Sequence, residues 1–494
     1  MTTTMAERLV AVEAKVSGIV ARVRGPEQAV LAVVERWLWG ELLELGVLLM
    51  AVFLEQQAQC ARPEIYVFEG RLYRLASALI AGEVGTRFGN VGWLRRVGRL
   101  EGEPRAARDL PVDRELGLCG RFSVGTVGVM LRLCAQMSFG AAETMFREFH
   151  GWCPARRSVL RMVDGVEVYA DMFNAASPVA DDDGEVLVVE FDSKGAPMVT
   201  DVELERRQNP PERDDELTGR HHRRSRKRRH PRPRRKSGEK SKNAKMANVA
   251  VIYTMKRTPQ GMEGPVNKQV VATFDSMEVL FRLVTVQLQR RGYPAKPLCF
   301  LADGNRHIWD LQKRFFPDAQ VCLDWWHTVE KFWALATCLF GEGDPRVKAF
   351  VAEQTHRLRR GHINTLLKDL RTRLEGVPNS GPGTRAKRAH LQRLLKHLTH
   401  FHRCITYNSF RRQDLPIGTG VCEGAVRHLV EIRFDGPGMR WSPQRAQALL
   451  RLRCILVNGH WSAFQEFLAT TIIRKLRAEP VPTIPHYAAR KEAA

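Results

Sequence analysis

"VLVVEFDSKGAPM" runs from Val186 to Met198 of a 494-residue chain. The mostly apolar run from Val186 to Phe191 has the length and composition of a buried strand. Asp192 closes it, Ser193 to Gly195 supply turn residues, and the chain continues as the second arm of a hairpin. Downstream, "MANVAVIYTM" reads as a third strand, "SMEVLFRLVTVQLQRRG" as a helix, and "PLCFLADGN" and "AQVCLDWWH" as two more strands. The short helix "RHIWDLQKRFFP" separates those last two. The element order is therefore hairpin, strand, helix, strand, helix, strand, which predicts an α/β core.

Around that core the chain is mainly helical. Residues 1–115 are read as an N-terminal region, helical to about Ala61, with a small strand or hairpin element from Glu64. Residues 116–180 read as three short helices, with Ser138 capping the second and Pro154 in the first turn of the third. Residues 185–328 hold the first part of the core, and 205–245 form a basic insert within it. Residues 329–412 are a helical insertion, 413–470 the last part of the core, and 471–494 a loose Pro-rich tail.

The formal net charge is +23, and it is clustered. Arg220 to Lys245 carries fourteen Lys or Arg against one acid, too little apolar surface to bury, so it is expected to be disordered when free. Such charge predicts a polyanionic partner, nucleic acid ahead of a membrane surface. The most apolar stretch, "LWGELLELGVLLMAVFLEQQ", carries Glu41, Glu44 and Glu55, so a buried or coiled helix is expected rather than a membrane span. No secretory signal is legible near Met1, and the ten cysteines form no CxxC pair. A reduced cytoplasmic setting without structural zinc follows.

Three acids stand at element ends: Asp192 after the first strand, Asp303 in "FLADGN", and Glu423 in the first turn of a late helix in "GTGVCEGAVRHLVEIRF". Singly, Asp before Gly is a turn signal, and Glu423 has Arg427 one turn on as a salt-bridge partner. Together they suit phosphodiester chemistry, in which two divalent ions about 4 Å apart activate the attacking oxygen and neutralise the leaving one. Carboxylate oxygens hold Mg2+ or Mn2+ and leave positions open for water and phosphate. Gly195, Gly304 and Gly424 stand close to these acids and would let a nucleic-acid backbone approach.

"VVEFDSKGAPM", "KMANVAVIYTM", "LADGNRHIWDL", "CLDWWHTVEKFWALA" and "GTGVCEGAVRHLVEIRFDGPGMRWSPQRAQALLRLRCILVNGHW" resemble, in consistent order, the ISKra-type bacterial insertion-sequence transposases. These are DDE enzymes, distantly related to Mutator-like transposases. The resemblance spans about residues 120–470 and is most specific in its C-terminal block. It implies a ribonuclease H-like mixed sheet flanked by helices, interrupted by an all-α insertion, beside a mostly α N-terminal region. It further implies Asp192, Asp303 and Glu423 as the catalytic, metal-holding trio, with two Mg2+ (or Mn2+) ions. Many relatives have glycine where this chain has Ser193. Asp324 is the rival second ligand; with His327 it matches a family pattern of acid or cysteine followed by histidine, and the two take a supporting role. His327 as a satisfied core residue is the bland alternative. Asp303 is preferred because its strand should lie beside the first.

The partners implied are double-stranded DNA, as terminal inverted repeats and target, and a homodimer or higher homo-oligomer on that DNA, in a bacterial cytoplasm near the nucleoid. A helix-turn-helix would present Arg156 and Arg157 to a groove; an ordinary helical hairpin with solvated arginines is the alternative. Arg223, Arg224, Arg226, Lys227, Arg228 and Arg229 belong to an arm that orders on DNA, or else to a solvated tail. Arg427, His428 and Arg433 face the DNA backbone, or they are solvated or pair with Glu431. Trp441 stacks on an unpaired base with Arg440 on a phosphate, or it packs. A catalytically degenerate DNA-binding protein and a structure-specific nuclease of the same fold remain the alternative functions.

Overall fold

The computed structural model describes residues 5–25, 29–102, 108–180, 182–208, 244–436 and 438–476. The chain forms two compact units, Met1–Ser177 with Arg451–Ala494, and Pro178–Leu450. The basic residues from Arg223 to Arg229 lie outside the described residues.

The first unit opens with α1 (Met5–Val23) and α2 (Leu31–Gln59). Ion pairs Arg8–Glu55 and Lys15–Glu41, both 2.7 Å, fix them as an antiparallel pair and account for the acids in the apolar stretch. Among the described residues α2 is the one helix long and apolar enough to cross a bilayer. One stripe of it is buried, through Ala51 and Leu54, against Val84, Val91 and Trp93. Its other faces expose Leu31, Val33, Trp39 and Leu49, so the expected burial holds for that stripe alone.

The residues after Glu64 form more than a hairpin. Strands β1 (Ile65–Phe68), β2 (Arg71–Gly85), β3 (Asn90–Leu100) and β4 (Arg108–Asp109) make an antiparallel sheet in chain order. Five helices follow: α3 (Pro111–Glu115), α4 (Val124–Gln136), α5 (Phe139–His150), α6 (Arg156–Gly165) and α7 (Glu167–Ala175). Ser138 caps α5, accepting from the Ala141 N–H at 3.2 Å. Pro154 stands just before α6 rather than in its first turn, which Ala155 precedes.

The second unit is built on β5 (Val186–Pro197), followed by α8 (Asp201–Gln208), β6 (Ala244–Thr258), β7 (Gly261–Thr273) and α9 (Met277–Arg290). Then come β8 (Leu298–Ala302), α10 (Arg306–Phe315) and β9 (Gln320–Leu323). The sheet order is β7-β6-β5-β8-β9, with β5, β6 and β7 antiparallel and β8 and β9 parallel to β5. Two sequence expectations change here. Ser193 to Gly195 form no turn: β5 runs straight through them, paired with Asn248 to Met246 of β6. Ser193 Oγ even bonds to Asn248 Oδ1 at 2.9 Å, so cross-strand pairing overrides local turn propensity. The first strand's antiparallel partner is therefore "MANVAVIYTM", and its own partner β7 is hidden in a polar, Gly- and Pro-containing run. Phe191, Phe281, Phe300 and Phe316 fill the core on one side of the sheet, each essentially inaccessible. The Phe191 and Phe281 rings stack at 4.4 Å. Each such burial stabilises by roughly 1.5–3 kcal/mol.

The chain then leaves the sheet for α11 (Trp325–Phe340), α12 (Pro345–Arg359), α13 (Ile363–Glu375), α14 (Thr384–His400) and α15 (Tyr407–Arg412). It returns through α16 (Gly420–Val426), a π-helical turn over Arg427–Glu431, α17 (Ile432–Phe434), α18 (Pro443–Val457) and α19 (Trp461–Leu476).

Candidate active site

The parallel strands place the acids. Pairing between β5 and β8 ends with Phe191 opposite Ala302, so the next residues, Asp192 and Asp303, are neighbours. Between β8 and β9 it ends with Ala302 opposite Leu323, which sets Asp324 next in the row. The strand before Asp303 does lie beside the first strand, as expected. Glu423 arrives from far along the chain on α16, where the Cys422 N–H donates to Glu190 Oε2 at 2.8 Å and the Cys422 thiol to the Val249 carbonyl at 3.8 Å.

These groups feel one another. Burial raises the Asp192 carboxyl above its ordinary range; the Ser193 N–H opposes this, the charges of Asp303 and Glu423 add to it, and His327 offsets part. Like charges brought within reach of one another are what a cation would relieve. Hydrogen bonding divides the acids into two kinds. Asp192 and Asp303 each accept one N–H on Oδ1, from Ser193 and from Asn305. Among the described residues their other oxygens, and both of Glu423, accept none, and Glu423 makes no ion pair with Arg427. Hard oxygens held on a rigid frame and lacking donors fit a divalent cation.

Asp324 is the opposite case. It is fully buried, and Oδ1 accepts from the Thr419 N–H and hydroxyl at 2.7 and 2.9 Å. Its Oδ2 accepts from the N–H and Nδ1 of His327 at 2.7 and 2.8 Å. Burial alone would raise its pKa, but these donors together hold it below the ordinary value. Asp324, His327 and Glu423 do bring ligand atoms within 4.8 Å of one another, a further grouping suited to a metal ion. Four donors already use the lone pairs of Asp324, however, so a cation there would have to displace one. The same contact raises the His327 pKa to about 9, against its partial burial. At neutral pH His327 is an imidazolium with Nδ1–H on Asp324 and, among the described residues, no partner on Nε2. It is not a core histidine: its side chain is 41% exposed.

No family model matches the sequence, and no curated protein matches it. Among solved structures, the chain is similar to the Drosophila P element transposase strand transfer complex at 12% identity and a TM-score of 0.30. That likeness covers 69% of this chain and 93% of the other. At such a score it assigns nothing to this chain.

The remaining candidates separate cleanly. Trp441 is 6% exposed, donates Nε1–H to the Phe434 carbonyl at 3.1 Å and packs on the Phe434 ring at 5.1 Å, so it does not offer a face to a base. Arg433 is buried with its guanidinium 4.6 Å over Trp441, away from any DNA backbone. Arg440 is exposed and paired with Glu203 at 3.0 Å. Glu431 pairs with Lys194, at 2.5 Å, rather than with the basic residues of its own helix. Arg427 and His428 are exposed on the π-helical turn that follows Glu423. In the first unit Arg156 pairs with Glu143 across the α5–α6 junction and Arg157 is exposed. Of the three glycines, Gly424 faces open space, whereas a Cβ on Gly304 would stand 2.6 Å from His397 Cε1 of α14. Gly304 thus admits a helix, not a nucleic acid. Sequence reading missed Glu190, Thr419 and Tyr253; the signal for Glu190 was a single acid inside an apolar strand.

Proposed function

We propose that the chain is a DDE transposase of the ISKra type with a ribonuclease H-like core, which binds transposon ends, hydrolyses a phosphodiester there and joins the released 3′-hydroxyl to target DNA. The observation that carries this reading is the contrast among five acids. Among the described residues, Asp192 and Asp303, side by side on β5 and after β8, each keep one oxygen without a donor, and Glu423, near enough for its charge to act on Asp192, keeps both, whereas Glu190 and Asp324 are fully engaged.

Asp192, Asp303 and Glu423 would hold two Mg2+ or Mn2+ ions. When bound, those ions would make a water or 3′-hydroxyl oxygen a better nucleophile and neutralise the charge on the leaving oxygen. The protein's own part is rigidity and charge. Asp192 and Asp303 are held on neighbouring parallel strands, so their spacing is set by backbone hydrogen bonds. His327, held by Asp324, carries a positive charge felt by Asp192 and Asp303, and such a cation beside the acids would suit a phosphate oxygen. Arg427, one turn beyond Glu423 and beside the open face of Gly424, suits the DNA backbone. Sequence-independent affinity comes from the +23 charge, including the basic insert. The homo-oligomer on DNA and the nucleoid location belong to the same proposal.

The test uses the purified full chain and labelled DNA carrying the sequences that flank its reading frame. Strand cleavage and joining should require Mg2+ or Mn2+ and vanish in Asp192→Ala. Equal cleavage by that variant overturns the reading. Specific binding with no cleavage under either metal would leave a DNA-binding protein with a degenerate core.

A further inference from the structure

Three observations converge on Glu190, which is wholly inaccessible within the run Val186–Phe191 of otherwise apolar residues that opens β5. Its Oε1 accepts from the Tyr253 hydroxyl at 2.7 Å, and Oε2 accepts from the Cys422 N–H at 2.8 Å. Tyr253 is itself buried, on the adjacent strand β6. A buried carboxylate without partners would cost several kcal/mol, so this one persists because both oxygens are satisfied. Side chains alternate along a strand, so Glu190 and Asp192 share a face two residues apart, roughly 6.6 Å along β5. Cys422 immediately precedes Glu423.

We propose that Glu190 is a positioning residue of this site, whose carboxylate clamps the start of α16 to β5 and so sets where the Glu423 side chain meets Asp192. The inference rests on the metal-dependent reading of the site. One strand thereby carries both a ligand and the clamp for the ligand opposite it, and that fixes a spacing which 230 residues of intervening chain would otherwise leave open. The helix needs such a clamp. It has only seven residues, follows "GTG", and runs straight into a π-helical turn. Its other hydrogen-bonded tethers are Thr419 on Asp324, which grips the residue just before α16, and the weaker contact of the Cys422 thiol on the Val249 carbonyl at 3.8 Å. Tyr253 keeps Glu190 from swinging toward the acids above it.

The test compares Mn2+ binding to full-length protein, read from the EPR signal of free Mn2+ without DNA, in wild type, Glu190→Leu and Glu190→Gln. Leucine keeps the volume and removes both acceptors, whereas glutamine keeps a carbonyl for the Cys422 N–H. With a circular-dichroism spectrum like wild type's, Glu190→Leu should weaken Mn2+ binding about 10- to 100-fold, as removal of groups that orient metal ligands does. Glu190→Gln should restore binding close to wild type. Unchanged binding by Glu190→Leu overturns the clamp, and so does a Glu190→Gln as defective as Asp192→Asn, which would make Glu190 a ligand. Should Glu190→Leu fail to fold, Tyr253→Phe, which frees one oxygen of the clamp, is expected to weaken Mn2+ binding several-fold, and no change overturns the proposal. Wild type that binds no Mn2+ at all would instead sink the metal-dependent reading itself.

Discussion

At the scale of single residues, the site is a place where stability is given up. Asp192 has its pKa raised by burial and by the charges of Asp303 and Glu423. A carboxyl whose folded pKa exceeds its unfolded one contributes stability below the unfolded value and loses it as pH rises through the folded value. At neutral pH the metal-free site is therefore strained by charge, and Asp192→Asn should melt a few degrees higher than wild type while losing Mn2+ binding. Differential scanning calorimetry with and without the metal checks both halves. His327 works in the opposite sense. Its pKa, raised to about 9 by Asp324, means its contribution is full below about 6.5 and disappears as pH rises through about 9. His327→Gln should thus cost stability at pH 6, and the gap to wild type should close by pH 10. With a side chain 41% exposed the screened cost is on the order of 1 kcal/mol. A gap that stays constant across that range would show that the pair is not charged in the fold.

At the scale of elements, burial decides what composition leaves open. Trp441 was one of the residues whose type suits either base stacking or packing. It continues the edge beyond β5, with its N–H on the Pro197 carbonyl at 3.1 Å and its carbonyl on the Val199 N–H at 2.8 Å, and its ring closes the joint with Phe434. Trp441→Ala is expected to destabilise by about 3–5 kcal/mol, as large core truncations do, while the folded fraction binds DNA with unchanged affinity. Urea denaturation and a binding titration below the transition separate the two roles. The sequence announced most of the sheet, because buried strands are apolar runs: β5, β6, β8 and β9 all have that signature. It concealed β7, whose polar half pairs at the sheet's edge, and it mimicked a turn at Ser193 to Gly195, where pairing with β6 prevails. Asp192 and Asp303 were legible for the same reason the strands were, since each follows an apolar run, whereas Glu423 was read from its place in the first turn of a helix after "GTG". Glu190 and Thr419 were not legible, because a clamp is defined by its partner, and the partner lies more than 200 residues away for Glu190 and 95 for Thr419.

At the scale of the whole molecule, charge acts where shape does not. Under the proposed DNA-binding function, a protein of +23 would meet DNA first through phosphates, and each neutralised phosphate adds about 0.9 to the slope of log affinity against log salt. The six residues Arg223, Arg224, Arg226, Lys227, Arg228 and Arg229 lie between β5 and β6 in the chain, the two strands that pair along the whole length of β5 beside Asp192. Replacing all six by glutamine should therefore lower the salt slope by up to about 5, weaken binding to every DNA sequence alike, and leave the melting temperature unchanged. Filter binding from 50 to 200 mM salt, on end-containing and random duplexes, measures the slope. If affinity for the ends fell and affinity for random DNA did not, the basic residues would be reading sequence rather than phosphate, and the arm would have to be placed in a groove.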